Sequence, residues 1–136
     1  MMRQHTKSVG AVVLNPQDQA LFMFRADMKF WELPKEKAIG SESELETLKR
    51  GLFEETGITR YNVIDPFKEE VTYSFKLGDE IIDRTIVFYL VRTEESVRLS
   101  REHTDFKWLS IPEAQKVVRF DNYRRVLEAA KKYISS

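Results

Sequence analysis

Closely spaced glutamates between Lys35 and Ile58 are the residues of this sequence that indicate chemistry. They are Glu36, Glu42, Glu44, Glu46, Glu54 and Glu55. A run of acidic residues is usually only a solvated helix face. Helix stability does not account for adjacent Glu54 and Glu55 near the carboxyl end of a predicted helix, because the helix dipole favours cations there. Clustered carboxylates are the ligands that Mg²⁺ takes, together with waters and phosphate oxygens.

The residues around these carboxylates restrict the kind of site. The chain has no cysteine and two histidines, His5 and His103. A disulfide, a thiolate metal site and a cysteine nucleophile are therefore excluded, and any metal must be held by oxygen. Arg50 lies four residues before Glu54, a spacing at which it either orients that carboxylate or forms an ordinary surface ion pair. A lone loop histidine is usually solvated, and we expect this of His103 rather than a role in proton transfer.

The element that must position the glutamates is a helix. Leu45, Leu48 and Leu52 recur at helical spacing and Gly57 follows them, which predicts a helix over residues 43–56. The three leucines are expected to form its buried stripe. The adjoining face holds the acidic cluster and its neighbours: Glu44, Thr47, Gly51, Glu54 and Glu55.

Strands and further helices are predicted around this helix. Residues 8–14 and 20–25 read as a hairpin, residues 71–77 and 81–91 as two longer strands, and a short extended stretch ends at residues 108–109. From Ile111 onward the apolar residues return to helical spacing. These elements predict a mixed α/β fold with helices covering a partly antiparallel sheet.

The length and the charge of the chain limit which classes of protein it can belong to. The chain has 136 residues, with 22 Lys and Arg against 22 Asp and Glu. This length predicts one domain over residues 1–136, and the charge balance lacks the basic excess that drives non-specific nucleic-acid binding. No stable nucleic-acid partner is expected. The longest apolar run, residues 86–91, is too short to span a bilayer, and the amino terminus is polar. We expect a cytoplasmic protein without a membrane partner.

The acidic segment resembles the Nudix box. That motif is Gly, five residues, Glu, seven residues, Arg-Glu-apolar, one residue, Glu-Glu, one residue, Gly-apolar. The matching residues here are Glu42, Arg50, Leu52, Glu54, Glu55, Gly57 and Ile58, preceded by Leu33-Pro34-Lys35. Arg25, Trp31, the strand from residue 84 to 91 with Tyr89, and the block from residue 102 to 109 are similar to the asymmetric diadenosine tetraphosphate hydrolase branch of this family.

The resemblance implies a fold, a cofactor and a reaction. The fold is an α/β/α sandwich around a mixed sheet. Mg²⁺, or Mn²⁺, is held on the box helix, and water attacks a phosphorus atom of a nucleoside diphosphate linked to another group. By this resemblance Glu54 and Glu55 carry the metal, while Arg50 and Glu42 hold the helix and its preceding loop as further catalytic residues.

Four other residues have a functional and a plain interpretation. Glu102 is either a further metal ligand, as its family counterpart would be, or a loop acid. Lys35 is expected to contact phosphate, with a solvated loop lysine as the alternative. Arg25 either does the same or caps its strand. Tyr89 either stacks on a base or belongs to the core, whereas its neighbour Phe88 is expected in the core.

Two residues depart from the box. Glu36 stands where the first Gly is expected, and Gly51 stands where the box has the Glu after Arg50. Glu36 is expected to reshape its loop. Gly51 removes a carboxylate from the middle of the metal face and costs helix stability, so a reduced rate is expected, and Gly51→Glu is expected to accelerate the enzyme.

The sequence therefore predicts a Mg²⁺-dependent pyrophosphohydrolase that cleaves dinucleoside polyphosphates, such as diadenosine tetraphosphate to ATP and AMP. Its partner would be a small nucleotide. One alternative is a catalytically silent Nudix-fold module that binds nucleotides or regulates. Another is a Nudix hydrolase for RNA 5′ ends or nucleoside diphosphate sugars, which the box residues do not distinguish.

Overall fold

The computed structural model describes residues 2–99, 101 and 103–134. In these residues, four strands precede the first helix, four more strands follow it, and two helices come last. In chain order they are β1 (Met2–Leu14), β2 (Ala20–Arg25), β3 (Phe30–Glu32), β4 (Lys35–Lys37), α1 (Glu44–Thr56), β5 (Asn62–Val63), β6 (Glu69–Leu77), β7 (Glu80–Arg92), β8 (Asp105–Leu109), α2 (Ile111–Val117) and α3 (Asp121–Ile134).

The parallel pairing of β1 with β7 forms the centre of a mixed sheet. Its register runs from Met2 opposite Glu80 to Leu14 opposite Arg92. The second half of each strand is apolar on both faces. This pattern is typical of strands that other elements cover on both sides. Antiparallel strands extend the sheet: β6 and β5 pair with β7, β4 pairs with β1, and β3 and β8 pair with β2.

Helices cover both faces of this sheet, which confirms the predicted sandwich. On one face, Leu48 and Leu52 of α1 pack with Val9 and Val13 of β1. On the other, Leu127 of α3 packs with the opposite-facing residues of the same strands. Phe88 is fully buried, as predicted. Within the described parts of the chain, no helix has the length and apolar character needed to cross a bilayer.

The start and end of α1 match the prediction within a residue because both are capped. Ser43 and Glu46 form a reciprocal capping box, and Gly57 ends the helix with a φ of 75°. The predicted apolar stripe is wrong at Leu45, which is 52% exposed. The buried face is turned toward Gly51 and Glu55, because that side of the helix contacts β1 and β4.

The predicted hairpin of residues 8–14 and 20–25 describes only part of the first strand. β1 begins at Met2, and it pairs with β2 in antiparallel orientation where Leu14 lies opposite Ala20. The turn itself is as expected, because the Asn15 side chain accepts hydrogen bonds from the backbone of Gln17 and Gln19. The dominant partner of β1 is distant in sequence, which a local pattern does not reveal.

Candidate active site

Arg50 links three parts of the site. Its guanidinium donates to both carboxylate oxygens of Glu42, at 2.8 and 3.0 Å, and to Glu54 Oε2 at 3.1 Å. It also donates to the backbone oxygen of Lys37 at 2.6 Å. The hydrogen bonds from Arg50 and from the backbone N–H of Ile39 lower the pKa of Glu42 to about 2. The structure therefore joins the loop, β4 and the end of α1 through Arg50, and the catalytic roles of Glu42 and Arg50 stay predictions.

Glu54 and Glu55 point to different surroundings although they are adjacent. Successive helix residues project about 100° apart. The Glu54 side chain is half-exposed and contacts Arg50, whereas Glu55 is buried. Glu55 Oε2 lies 3.1 Å from His103 Nδ1. The predicted metal pair thus consists of one accessible and one enclosed carboxylate.

His103 lies between two buried carboxylates, so the expectation of a solvated loop histidine is wrong. Its Nε2 is 2.9 Å from Glu32 Oε2, and its opposite ring nitrogen faces Glu55. Burial alone would lower the pKa of His103, but hydrogen bonds to Glu32 and Glu55 and their charges raise it to about 9. A protonated imidazole donates from both nitrogens and compensates both carboxylates. The pairing of β8 with β2 brings the chain just before β8 back to this position.

The Glu36 side chain contacts the box helix at Gly51. Glu36 Cβ lies 2.7 Å from where a Cβ of residue 51 would be. Burial, a hydrogen bond to the Glu55 carboxyl group and the charges of Glu55 and Glu54 raise the pKa of Glu36 to about 7. Glu36 is thus a member of the acidic cluster and lies on β4, rather than being only a residue of a reshaped loop.

The predicted substrate-binding residues lie near the cluster in different settings. Lys35 Nζ forms an ion pair with Glu32 Oε1 at 2.9 Å, and Arg25 lies 3.1 Å from Asp27 and 3.9 Å from Glu32. Both cations are therefore at the acidic site, and Lys35 is not a freely solvated lysine.

Tyr89 is half-buried against the core on the α1 side of the sheet. Its hydroxyl donates to Glu44 Oε1 at 2.5 Å, and Lys7 and Lys68 form ion pairs with the same carboxylate. Base stacking by Tyr89 stays a prediction. Glu102, predicted to be either a metal ligand or a loop acid, lies outside the described residues.

A divalent metal is chemically compatible with this cluster. Within residues 2–99, 101 and 103–134, no group of three or more His, Asp or Glu side chains is arranged so that it could hold a metal ion. Mg²⁺ commonly takes only one or two protein carboxylates and completes its octahedron with waters and substrate phosphates. The Glu36 and Glu55 carboxyl groups meet, with Glu54 close enough to affect Glu36 through its charge. These oxygens fit such a cation, which would neutralise their mutual repulsion and activate water.

Two contributors were not identified from the sequence. Glu32 is buried and binds both Lys35 and His103, but the sequence separation of Glu32 and His103 conceals this contact. Glu36 belongs to the acidic run in the sequence, but the only specific role predicted for it is an effect on its loop. The sequence does contain a signal for Glu36. Glu stands at the first Gly position of the box, and Gly stands at the position of the Glu after Arg50, so the two departures exchange the same two residue types.

Comparison with known proteins defines the class. A family model described as NUDIX domain matches residues 4–130. The chain therefore belongs to the Nudix family and is a hydrolase acting on phosphoanhydride bonds.

The names of its relatives mention two kinds of substrate, dinucleoside tetraphosphates and RNA. Asymmetrical bis(5′-nucleosyl)-tetraphosphatase of Sus scrofa is 30% identical over 111 residues, covering 78% of this chain and 73% of the relative. RNA pyrophosphohydrolase of Francisella philomiragia is 29% identical over an alignment of 146 positions, which covers 94% of each chain. The structure of a C. elegans Ap4A hydrolase binary complex superposes with a TM-score of 0.80 at 19% identity, covering 96% of this chain and 98% of the other. That likeness shows the shared fold.

Proposed function

We propose that the protein cleaves dinucleoside polyphosphates asymmetrically, with diadenosine tetraphosphate giving ATP and AMP in the presence of Mg²⁺ or Mn²⁺. The observation that carries the proposal is the Arg50 network, which holds Glu54 beside Glu55 at the end of the box helix. The choice of substrate is supported by similarity to asymmetrical tetraphosphatases over 78% of the chain.

The chain's own residues have separate tasks in this proposal. Glu54 and Glu55 hold the metal, and Glu102 is a further candidate ligand. Arg50 keeps Glu54 in place through its bonds to Glu42 and to the backbone of Lys37. The metal supplies charge neutralisation at the phosphates and an activated water.

Substrate binding requires cations that donate hydrogen bonds to phosphate oxygens. Lys35 and Arg25 are both placed at Glu32, and both would exchange part of their contact with acidic side chains for contact with the polyphosphate. Tyr89 is the candidate for contact with a base. The predicted cytoplasmic location and single domain form part of this proposal.

The test is product analysis. Purified protein is incubated with diadenosine tetraphosphate and excess Mg²⁺, and nucleotides are separated by ion-exchange chromatography. We expect equal amounts of ATP and AMP. Glu54→Gln and Glu55→Gln should each reduce the rate by about 10²- to 10⁴-fold, whereas Asp79→Asn, at the exposed turn between β6 and β7, should leave it unchanged. ADP as the sole product would contradict asymmetric cleavage.

A second candidate substrate is the triphosphate end of RNA, favoured by similarity to an RNA pyrophosphohydrolase over 94% of the chain. The same assay with 5′-triphosphorylated RNA and with a nucleoside diphosphate sugar separates these substrates. Faster release of pyrophosphate from RNA than of AMP from diadenosine tetraphosphate would favour this candidate. Nucleotide binding without turnover of any of these substrates would instead favour the silent module.

A further inference from the structure

Glu36 and Gly51 face each other where β4 packs on α1. A Cβ atom on residue 51 would lie 2.7 Å from Glu36 Cβ and 3.6 Å from its Cγ. Non-bonded carbon atoms prefer separations of about 3.5–4.0 Å. The Glu36 side chain therefore occupies the space that a side chain at position 51 would need. This contact explains why glycine stands in the interior of α1, where it lowers helix stability.

The Glu36 carboxyl group reaches the partners that a carboxylate at position 51 would have. On a helix, residue 51 neighbours residues 54 and 55, three and four positions later. From its Cβ beside position 51, the Glu36 side chain places its carboxyl group next to that of Glu55, where the charge of Glu54 also acts on it. A side chain that begins beside the missing Cβ thus ends beside the same two glutamates.

Strand pairing fixes the origin of the Glu36 side chain. Glu36 lies opposite Val9 of β1, between the pairs formed by Lys35 with Gly10 and Lys37 with Ser8. The Lys37 backbone N–H donates to Glu36 Oε1 at 3.1 Å, and the Lys37 carbonyl accepts from Arg50. Glu36 is therefore held on a paired strand beside the box helix.

We propose that the two departures from the Nudix box are one reciprocal exchange, in which Glu36 supplies from β4 the metal-binding carboxylate that the box places at position 51. The inference rests on the proposed function, because Glu54 and Glu55 are taken as the neighbouring ligands. The site then keeps its number of carboxylates, and Gly51 is required by Glu36 rather than being a lost function. The reduced rate expected from Gly51 does not follow when the carboxylate is present.

The structure also changes the expectation for Gly51→Glu. Its new Cβ meets Glu36 Cβ, so this substitution overpacks the contact between β4 and α1 instead of restoring a ligand. The exchanged pair Glu36→Gly/Gly51→Glu removes that conflict. A set consisting of the original chain, the two single variants and the double variant therefore tests the proposal as a double-mutant cycle.

The first measurement is Mn²⁺ binding without substrate, by electron paramagnetic resonance of the free ion, with thermal unfolding recorded for every variant. Glu36→Gln, which preserves side-chain size, should weaken binding by about 10- to 100-fold. Asp79→Asn removes an exposed carboxylate elsewhere and should not change it. Gly51→Glu should lower the Tm by several degrees. The double variant should recover both the Tm and Mn²⁺ affinity to within about threefold of the original chain.

Two results would overturn the exchange. One is unchanged Mn²⁺ affinity in Glu36→Gln, and the other is a double variant that shows only the summed defects of the single variants. Absence of Mn²⁺ binding by the original chain would also count against it.

Failure of the proposed function looks different. If Mn²⁺ binds and depends on Glu36, but diadenosine tetraphosphate is not cleaved, the substrate proposal fails and the exchange stands. If the substrate is cleaved at the same rate and Mn²⁺ binds equally well after Glu36→Gln, the exchange fails and the function stands.

Discussion

Individual contacts in the site differ in how far local spacing reveals them. Arg50 and Glu54 are four residues apart on a helix, and their ion pair follows from that spacing. Glu55 and His103 are far apart in the chain, and their contact depends on how β8 returns beside β2. Sequence patterns therefore predicted the Arg50 contact, whereas His103 was expected in solvent. Charge patterns within one helix do not contain this tertiary information.

The Glu42 carboxylate is expected to make acid stability depend on Arg50. Its pKa in the folded protein is about 2, below the ordinary value of 4.5, because Arg50 and the backbone N–H of Ile39 bond to the ionised form. Its stabilising effect is therefore complete above pH 4.5 and is lost as the pH falls towards 2. Solvent exposure of the pair keeps the effect modest. The stability difference between the original chain and Glu42→Gln should be largest near neutrality and disappear near pH 2, as measured by urea unfolding.

Glu95 provides a matched comparison for Glu42. Its pKa is also lowered to about 2, mainly by the backbone N–H of Thr59, at a position away from the Arg50 network. Glu95→Gln should show the same pH trend in stability with unchanged hydrolysis, whereas Glu42→Gln should also reduce hydrolysis. A stability difference for Glu42→Gln that grows as the pH falls would refute this account.

At the scale of elements, α1 was predicted well because its end signals are local. Ser43, Glu46 and Gly57 define its ends, and these residue types have direct backbone roles. Its orientation was predicted less well, as exposed Leu45 and buried Glu55 show. Burial of Glu55 depends on partners from other elements, so a search for apolar periodicity alone misplaces the buried face.

The glycine that ends α1 is expected to be sensitive to substitution. Gly57 has a φ of 75°, and its backbone N–H donates to the Phe53 carbonyl at 2.9 Å. An alanine side chain is strained in this region of backbone space by about 1–2 kcal/mol, and its Cβ would also lie 3.3 Å from Arg98 Cβ. Gly57→Ala should therefore lose about that much unfolding free energy in a urea titration.

Asparagine tolerates the left-handed conformation better than alanine does, so it is the control. Gly57→Asn should retain more stability than Gly57→Ala, even though its side chain is larger. Equal losses for the two variants would indicate that crowding at Arg98, rather than backbone conformation, governs this position.

On the scale of the whole molecule, a mixed α/β fold with helices on a partly antiparallel sheet follows from the local strand and helix patterns, but the strand order does not. The central β1–β7 pair joins residues about 78 positions apart. The second half of each strand is more buried and more apolar than the first, which indicates where the layers lie without specifying which strand is its partner. Resemblance to the Nudix box supplied the sandwich expectation that local patterns left open.

The uneven covering of the β1–β7 pair should be visible in hydrogen exchange. Residues 2–6 and 9–14 of β1 pair with β7 in one continuous register, but the first group is largely exposed and the second is buried between the helical layers. Local opening is easier where few apolar contacts must be broken. Amides of residues 9–14 should therefore exchange on the order of a hundredfold more slowly than those of residues 2–6. The comparison holds the strand and its β7 partner constant, so equal protection along β1 would show that this pairing alone determines stability here. Slower exchange in residues 9–14 would reflect their covering by the helical layers and their pairing with β4 and β2 on the other edge.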